Sequence, residues 1–268
     1  MVINEESVAS FLGVYINEQL EASGLDRVVV GLSGGLDSAT SAYLAVRALG
    51  SARVKAFLLP YRTSSPQSKA HALLAVAALG IEAQEIEIAP VVDPYIERFP
   101  EMDRLRRGNL MARARMMVVY DQSAAHRALV LGTGNKTEAL LGYTTLWGDM
   151  ACAFTPIGDL YKTEVRQLAR YLGVPTEIIE KQPSADLWVG QTDEEEIGLT
   201  YEEMDALLVR LVDQGMDGDE VARLGFEPEK IAHIQGMIRC SEFKRRMPLS
   251  PKIPETMRKM TGYGARIA

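Results

Sequence analysis

Cysteine is scarce. Cys152 and Cys240 are the two among 268 residues, too few for a disulfide framework, and neither stands in a Cys/His pattern that marks a nucleophile or a metal site. Both are expected to be packing residues. A basic excess is missing as well: the formal charge is -7, which argues against a general nucleic-acid binder, because such a protein needs a positive surface. No apolar run approaches membrane-spanning length, and residues 1–10 carry no signal-peptide pattern. A cytoplasmic chain with neither membrane nor nucleic-acid partners is therefore expected. His71, His126 and His233 lack the neighbouring histidines or carboxylates of a site and read as ordinary core or surface residues. With 47% apolar residues a sizeable core is available, and 1–268 is expected to form one unit acting on a small molecule.

The most informative stretch is Val28-Val29-Val30-Gly31-Leu32-Ser33-Gly34-Gly35-Leu36-Asp37-Ser38. A short β-branched run closed by glycine predicts a buried strand, and 36–49 then predicts a helix. Glycines in a strand-to-helix loop let consecutive N–H groups converge on an anion at the helix N-terminus. A Walker loop would place a Lys after its last glycine, and this one has Asp37 instead. A carboxylate beside bound phosphate is repelled unless a divalent cation lies between them, so the implied ligand is a metal–nucleotide.

The rest of the chain alternates. A helix is predicted over 5–22, strands over 54–59, 84–88 and 128–131, and helices over 67–79 and 104–120. The βαβαβ pattern implies a doubly wound parallel sheet of α/β class. In such sheets the ligand crevice lies past the carboxyl ends of the strands, which points to the loop with Arg62 and to Gly132-Thr133-Gly134-Asn135-Lys136-Thr137-Glu138. Glu138 is a candidate to share Mg²⁺ with Asp37, since Mg²⁺ commonly takes one or two carboxylates plus phosphate oxygens. Lys162 stands near a predicted helix N-terminus, against the dipole preference, which a nearby anion would explain. The arginines at 104, 106, 107, 113 and 115, with methionines expected on the opposite side, suggest a helix at a crevice or subunit interface. Residues 182–194 read as a lid loop, with the acidic run 193–196 solvated. A C-terminal helical cap is predicted from residue 200, with helices over 201–213, 217–224 and 228–243 and an irregular tail from Leu249 that wraps the body.

Ser33-Gly34-Gly35-Leu36-Asp37-Ser38 matches the SGGxDS pyrophosphate loop of the ATP-pyrophosphatases. Together with 131–138, Pro156-Ile157-Gly158-Asp159-Leu160-Tyr161-Lys162-Thr163 and Pro183-Ser184-Ala185-Asp186-Leu187-Trp188, the chain over 27–254 resembles NAD synthetase. The resemblance implies a Rossmann-like, adenine nucleotide alpha-hydrolase-like fold and an ammonia-dependent ligase. In that reaction deamido-NAD is adenylated by ATP, pyrophosphate leaves, and ammonia displaces AMP. It implies further that Gly31, Leu32, Ser33, Gly34, Gly35, Leu36, Asp37 and Ser38 hold the pyrophosphate and that Thr133, Lys162 and Ser184 contact ATP. Asp37 and Glu138 would bind Mg²⁺, Arg113 and Lys244 would bind deamido-NAD, and Asp37 and Lys162 would be catalytic. A homodimer is implied, with free ammonia as the nitrogen source or a separate glutaminase supplying it. Leu146 and Ala153 stand where the ammonia-dependent branch has Lys and Asp, and Phe243 stands where it has His. Two alternatives remain at this stage: adenylation of another acceptor, such as a different acid or a tRNA base, and a regulatory module that senses ATP without turnover.

Overall fold

The structure is a computed structural model that describes residues 2–184, 186–188 and 190–257. Helix α1 (Glu5–Ser23) starts at an Asn4 cap, and strand β1 (Val28–Gly31), helix α2 (Leu36–Leu49) and strand β2 (Val54–Leu58) follow. Helix α3 (Pro66–Leu79) has Ser65 as its cap and Pro66 at its first position, where the missing N–H costs nothing. Strand β3 (Glu82–Glu85), helices α4 (Ala89–Arg98) and α5 (Arg104–His126) and strand β4 (Leu129–Val130) complete the layered part. All strand pairings are parallel and the order is β3-β2-β1-β4, with a further parallel bridge from Leu131 to Phe154. The expected doubly wound α/β sheet is observed.

The alternation of side chains across the strands assigns the two faces. Val28 and Val30 of β1, with Ala56 and Leu58 of β2, join the core beneath α1 and α2. Val29 and Phe57 point the other way, toward Val92 of α4 and Met111 of α5. The chain moves outward from β1 through β2 to β3 and then returns to the other side of β1 for β4. The strand order therefore reverses between β1 and β4, and a crevice opens past their carboxyl ends.

Helices α6 (Lys136–Leu141), α7 (Lys162–Leu172) and α8 (Thr176–Ile179) follow β4. The C-terminal part contains α9 (Asp193–Ile197), α10 (Tyr201–Leu208) continuing as a π-helical turn over Val209–Asp213, α11 (Gly218–Arg223) and α12 (Pro228–Ser241). Its core of Met204, Leu207, Leu208, Val221, Ile231 and Ile234 also takes in Leu141 of α6 and Tyr161, just before α7. The helical cap is thus packed on the two helices that leave the crevice.

Several boundaries differ from expectation. Helix α4 has no counterpart among the predicted elements; Pro90 stands in its first turn, where proline is compatible with a helix, whereas Pro94 lies inside it and leaves one intrahelical bond unmade. The strand expected over 84–88 is β3 at 82–85, and beyond it the backbone still bonds the neighbouring segment through Ile86 N–H to Leu58 O and Ile88 N–H to Pro60 O. Of the acidic run 193–196, Glu195 and Glu196 are exposed as expected, but the run forms the first turn of α9, where carboxylates meet the positive helix end, and Asp193 is buried. Of the tail expected to be irregular from Leu249, residues 249–254 carry no regular element and a 3₁₀ turn occupies Glu255–Met257. Residues 258–268, together with Ala185 and Val189 of the expected lid, lie outside the described residues.

Gly34 fixes how the loop after β1 meets α3. Its φ is 77°, and a Cβ built there would lie 1.9 Å from the Ser68 backbone oxygen. Gly34→Ala combines left-handed strain with a backbone clash, so a loss of about 2 kcal/mol or more is expected in denaturant unfolding. A variant as stable as the parent would show that the loop does not need this approach.

Candidate functional site

The loop between β1 and α2 is internally braced. Ser33 N–H donates to Ser38 Oγ at 3.2 Å, Gly35 N–H donates to Ser33 Oγ at 3.2 Å, and Ser38 Oγ donates to the Gly35 carbonyl at 3.1 Å. Leu32 and Leu36 are core residues, so their side chains anchor the loop, and Leu32 N–H donates to the Phe57 carbonyl at 2.9 Å. Asp37 sits in the first turn of α2.

Three expected residues meet at this point. Lys162 Nζ donates to Asp37 Oδ2 and, at 3.2 Å, to Glu138 Oε1, while Asn135 Nδ2 donates to Asp37 Oδ1 at 3.0 Å. Asn135 caps α6, and Glu138 returns the bond to its backbone N–H, so one Glu138 oxygen is held by the cap and the other faces Lys162. Burial pushes the Glu138 carboxyl up to about 8, against the lowering effect of the Lys162 ammonium. Burial pulls the Lys162 ammonium down, but Asp37 and Glu138 pull harder the other way, and the net shift is upward. Lys162 Nζ also lies 5.0 Å from the centre of the Tyr201 ring, whose hydroxyl donates to Asp193 Oδ2 at 2.8 Å.

Asn135, Asp193 and Tyr201 received no role in the sequence reading. A Thr-Asp-Glu-Glu string is a helix-start signal that would have placed Asp193. The aromatic partner of Lys162 comes from a helix far along the chain, which local patterns do not reveal.

Thr133 lies in the loop after β4, two residues before Asn135. Ser184 Oγ accepts from Asp186 N–H at 3.0 Å. Arg113 donates to the Leu146 carbonyl at 3.2 and 3.3 Å, and Lys244 Nζ donates to the Gly142 and Thr144 carbonyls at 2.8 and 2.7 Å. Both cations hold segment 142–150, and neither touches the Asp37–Glu138–Lys162 cluster among the described residues. Arg62 pairs with Asp93. The arginines and methionines of α5 do not separate into opposite faces: Arg115 turns inward to the Leu59 carbonyl at 3.0 Å, whereas Met117 is exposed. The stretch around Lys181 and Asp186 is seated on the start of α3, with Asp186 accepting from Ser65 N–H at 3.0 and 3.1 Å and Lys181 Nζ donating to Ser68 Oγ at 2.8 Å.

No group of three or more His, Cys, Asp or Glu residues converges as a cation site among the described residues. The crevice offers two carboxylates, the number Mg²⁺ uses when a bound phosphate and water supply the remaining oxygens. Two ionised acids around a single ammonium would leave a negative balance, which a proton on Glu138 or a further cation offsets, so the donor set fits such a cation.

The family model for NAD synthase matches residues 8–248. The NH(3)-dependent NAD(+) synthetase of Trichlorobacter lovleyi is 51% identical over 251 residues, covering 94% of this chain and 92% of that one. Among solved structures, the NMN synthetase of Francisella tularensis superposes with a TM-score of 0.84 at 32% identity, covering 94% of this chain and all of that one. The NH3-dependent NAD synthetase of Campylobacter jejuni, in complex with the nitrate ion, superposes with a TM-score of 0.80 at 35% identity and the same coverage.

The raised Glu138 carboxyl has a thermodynamic consequence. Between about pH 4.5 and 8 the folded state holds a proton that the unfolded state has released, so stability falls as pH rises through that window. The unfolding midpoint of the ligand-free protein is expected to drop across it, and Glu138→Gln should flatten the drop. An identical pH profile for the two proteins would exclude Glu138 as its source.

Proposed function

The chain belongs to the NAD synthase family, and on that premise we propose that the Asp37–Glu138–Lys162 crevice is where it amidates deamido-NAD to NAD with ATP and ammonia. The observation that carries this assignment is the Lys162 ammonium gripped between Asp37 and Glu138, beside the glycine loop at the reversal of strand order.

In this reading residues 31–38 cradle the pyrophosphate end of ATP at the N-terminus of α2. Thr133 and Ser184 contact the nucleotide, and Arg113 and Lys244 contact deamido-NAD. The nicotinic carboxylate attacks the α-phosphorus, the bond to the β-phosphate oxygen breaks, and pyrophosphate leaves. Ammonia then attacks the carbonyl carbon of the adenylate, AMP departs, and a proton is lost from nitrogen. A bare carboxylate resists amine attack, and the adenylate supplies the leaving group it lacks. Lys162 acts where negative charge grows, on the transferring phosphoryl and the departing pyrophosphate, and a buried, pre-positioned cation stabilises such charge better than one in water. Asp37 and Glu138 would hold Mg²⁺, which when bound neutralises phosphate oxygens and favours departure of pyrophosphate. No protein nucleophile is required; burial pushes the Cys152 thiol up, away from the thiolate.

The exposed Leu105, Met117 and Tyr120 of α5 support a homodimer built on that helix. Free ammonia is the proposed nitrogen source, and a separate glutaminase is an alternative supplier.

Purified protein given ATP, Mg²⁺ and deamido-NAD should form NAD, AMP and pyrophosphate with ammonium and not with glutamine. Lys162→Ala should lower kcat at least ~100-fold, the scale for removing one pre-organised electrostatic group. Glutamine-driven turnover would overturn the ammonia assignment. Because one structural neighbour is an NMN synthetase, nicotinic acid mononucleotide belongs in the same assay as a second acceptor, and faster turnover of it would shift the substrate assignment. Alanine at Arg113 or Lys244 should raise KM for deamido-NAD far more than KM for ATP; equal effects on both would remove the two residues from the acceptor site.

A further inference from the structure

Lys162 opens α7, and the residue before it cannot cap that helix: Tyr161 makes no side-chain cap bond, and its hydroxyl donates to Asp213 Oδ2 at 3.0 Å. Glu164 accepts from the Tyr161 N–H at 3.0 Å, and the acceptors for the next N–H groups of the turn come from other parts of the chain. Asp205, on the cap helix α10 and 1% exposed, accepts from Thr163 N–H at 2.9 Å with Oδ2 and from Thr137 Oγ1 at 2.6 Å with Oδ1. The Thr137 hydroxyl in turn accepts from Lys162 N–H at 2.9 Å. One buried carboxylate therefore ties together the first turns of α6 and α7, the turns that carry Glu138 and Lys162. One helical turn earlier on α10, Tyr201 lies beneath the Lys162 ammonium.

From this geometry, and resting on the function proposed above, we infer that Asp205 is a positioning residue that sets the backbone of Lys162 relative to Glu138, so the helical cap is part of the catalytic apparatus. It reaches no phosphate itself and acts through Lys162. Its oxygens both accept, one from a backbone N–H and one from a hydroxyl, so the ionised carboxylate matches its donors. Asparagine would present an amide N–H₂ to Thr137, whose hydroxyl would lose its acceptor while the shape stayed the same. A second tie between the same elements, Arg166 of α7 to Glu202 of α10 at 2.6 Å, is partly exposed and lies away from the Lys162 turn. It docks the cap without fixing the lysine.

The test is a double-mutant cycle on the full chain, with Asp205→Asn, Lys162→Ala and the double variant. MgATP affinity would be measured by calorimetry, and kcat and KM for NAD formation at steady state. Asp205→Asn alone is expected to lower kcat and weaken MgATP by ~10-fold or more, as small displacements of a catalytic group do, and to add less than about 2-fold in the Lys162→Ala background. Glu202→Gln should leave kcat unchanged. Equal losses from Asp205→Asn in both backgrounds would overturn the inference, and so would a wild-type-like Asp205→Asn. If Asp205→Asn does not fold, Thr137→Val cuts the same link, and its losses are judged by the same criterion. A wild-type protein that binds MgATP but makes no NAD would refute the proposed function, while the calorimetric cycle would still decide the role of Asp205.

Discussion

A buried ammonium clasped by two half-buried carboxylates constrains everything around it. Desolvation alone would make such a group costly, and removing any member would leave a buried charge without its partner. The balance of Asp37, Glu138 and Lys162 is one negative charge, which burial relieves by favouring a proton on Glu138. Three helices begin at this point: Asp37 lies in the first turn of α2, Glu138 in that of α6, and Lys162 at the first position of α7. Their positive ends favour the acids and disfavour the lysine. The arrangement therefore suits an anionic ligand, which the helix ends and Lys162 attract together and which the two acids tolerate when a cation accompanies it.

The architecture follows from bringing these three turns together. Only at the reversal between β1 and β4 can the loop after one strand face the loop after the other, and Asn135, bonded to Asp37 across that gap, closes it. Helix α7 comes from beyond β4 and packs against α1 and α2 beneath the sheet, with Val165 and Leu168 fully buried. Its last degree of freedom is the rotation and height of its first turn. That freedom is removed from the opposite side by the cap, through Asp205 and through the bond that the Tyr161 hydroxyl donates to Asp213 at 3.0 Å.

Legibility from sequence divides along the same lines. Where chemistry is written in consecutive residues, as in 31–38 and 132–138, the pattern located both the loop and its acid. The dipole argument singled out Lys162 because a cation at a helix start needs a compensating anion. The structure supplies two, from residues 125 and 24 positions away. What escaped was set by tertiary contact. Helix α4 hides behind two prolines, the burial of Asp193 depends on a tyrosine hydroxyl from α10, and the role of Asp205 depends on two threonines that no spacing rule connects to it. The alternation of arginines and methionines along α5 misled for a related reason, since a helix between a core and a surface distributes both kinds of side chain over its faces.

The proposed acceptor side is built differently from the proposed ATP side. Arg113 and Lys244 both bond to main-chain carbonyls of segment 142–150. The positions that depart from the ammonia-dependent pattern, Leu146, Ala153 and Phe243, lie on that segment, just beyond it, or next to Lys244. Leu146 takes part through its carbonyl, which accepts from Arg113, so the frame persists whichever side chain stands there. Phe243 is exposed beside Lys244 and offers an aromatic face where an imidazole would offer a hydrogen bond. In the proposed reading the nicotinic carboxylate must lie at the Asp37–Glu138–Lys162 crevice whatever the acceptor, and only the remainder of the molecule reaches this frame. Exchanging charged side chains for apolar ones there changes the grip on that remainder, not the charge arrangement that activates the carboxylate. In that reading acceptor preference and adenylation chemistry are carried by separate sets of residues.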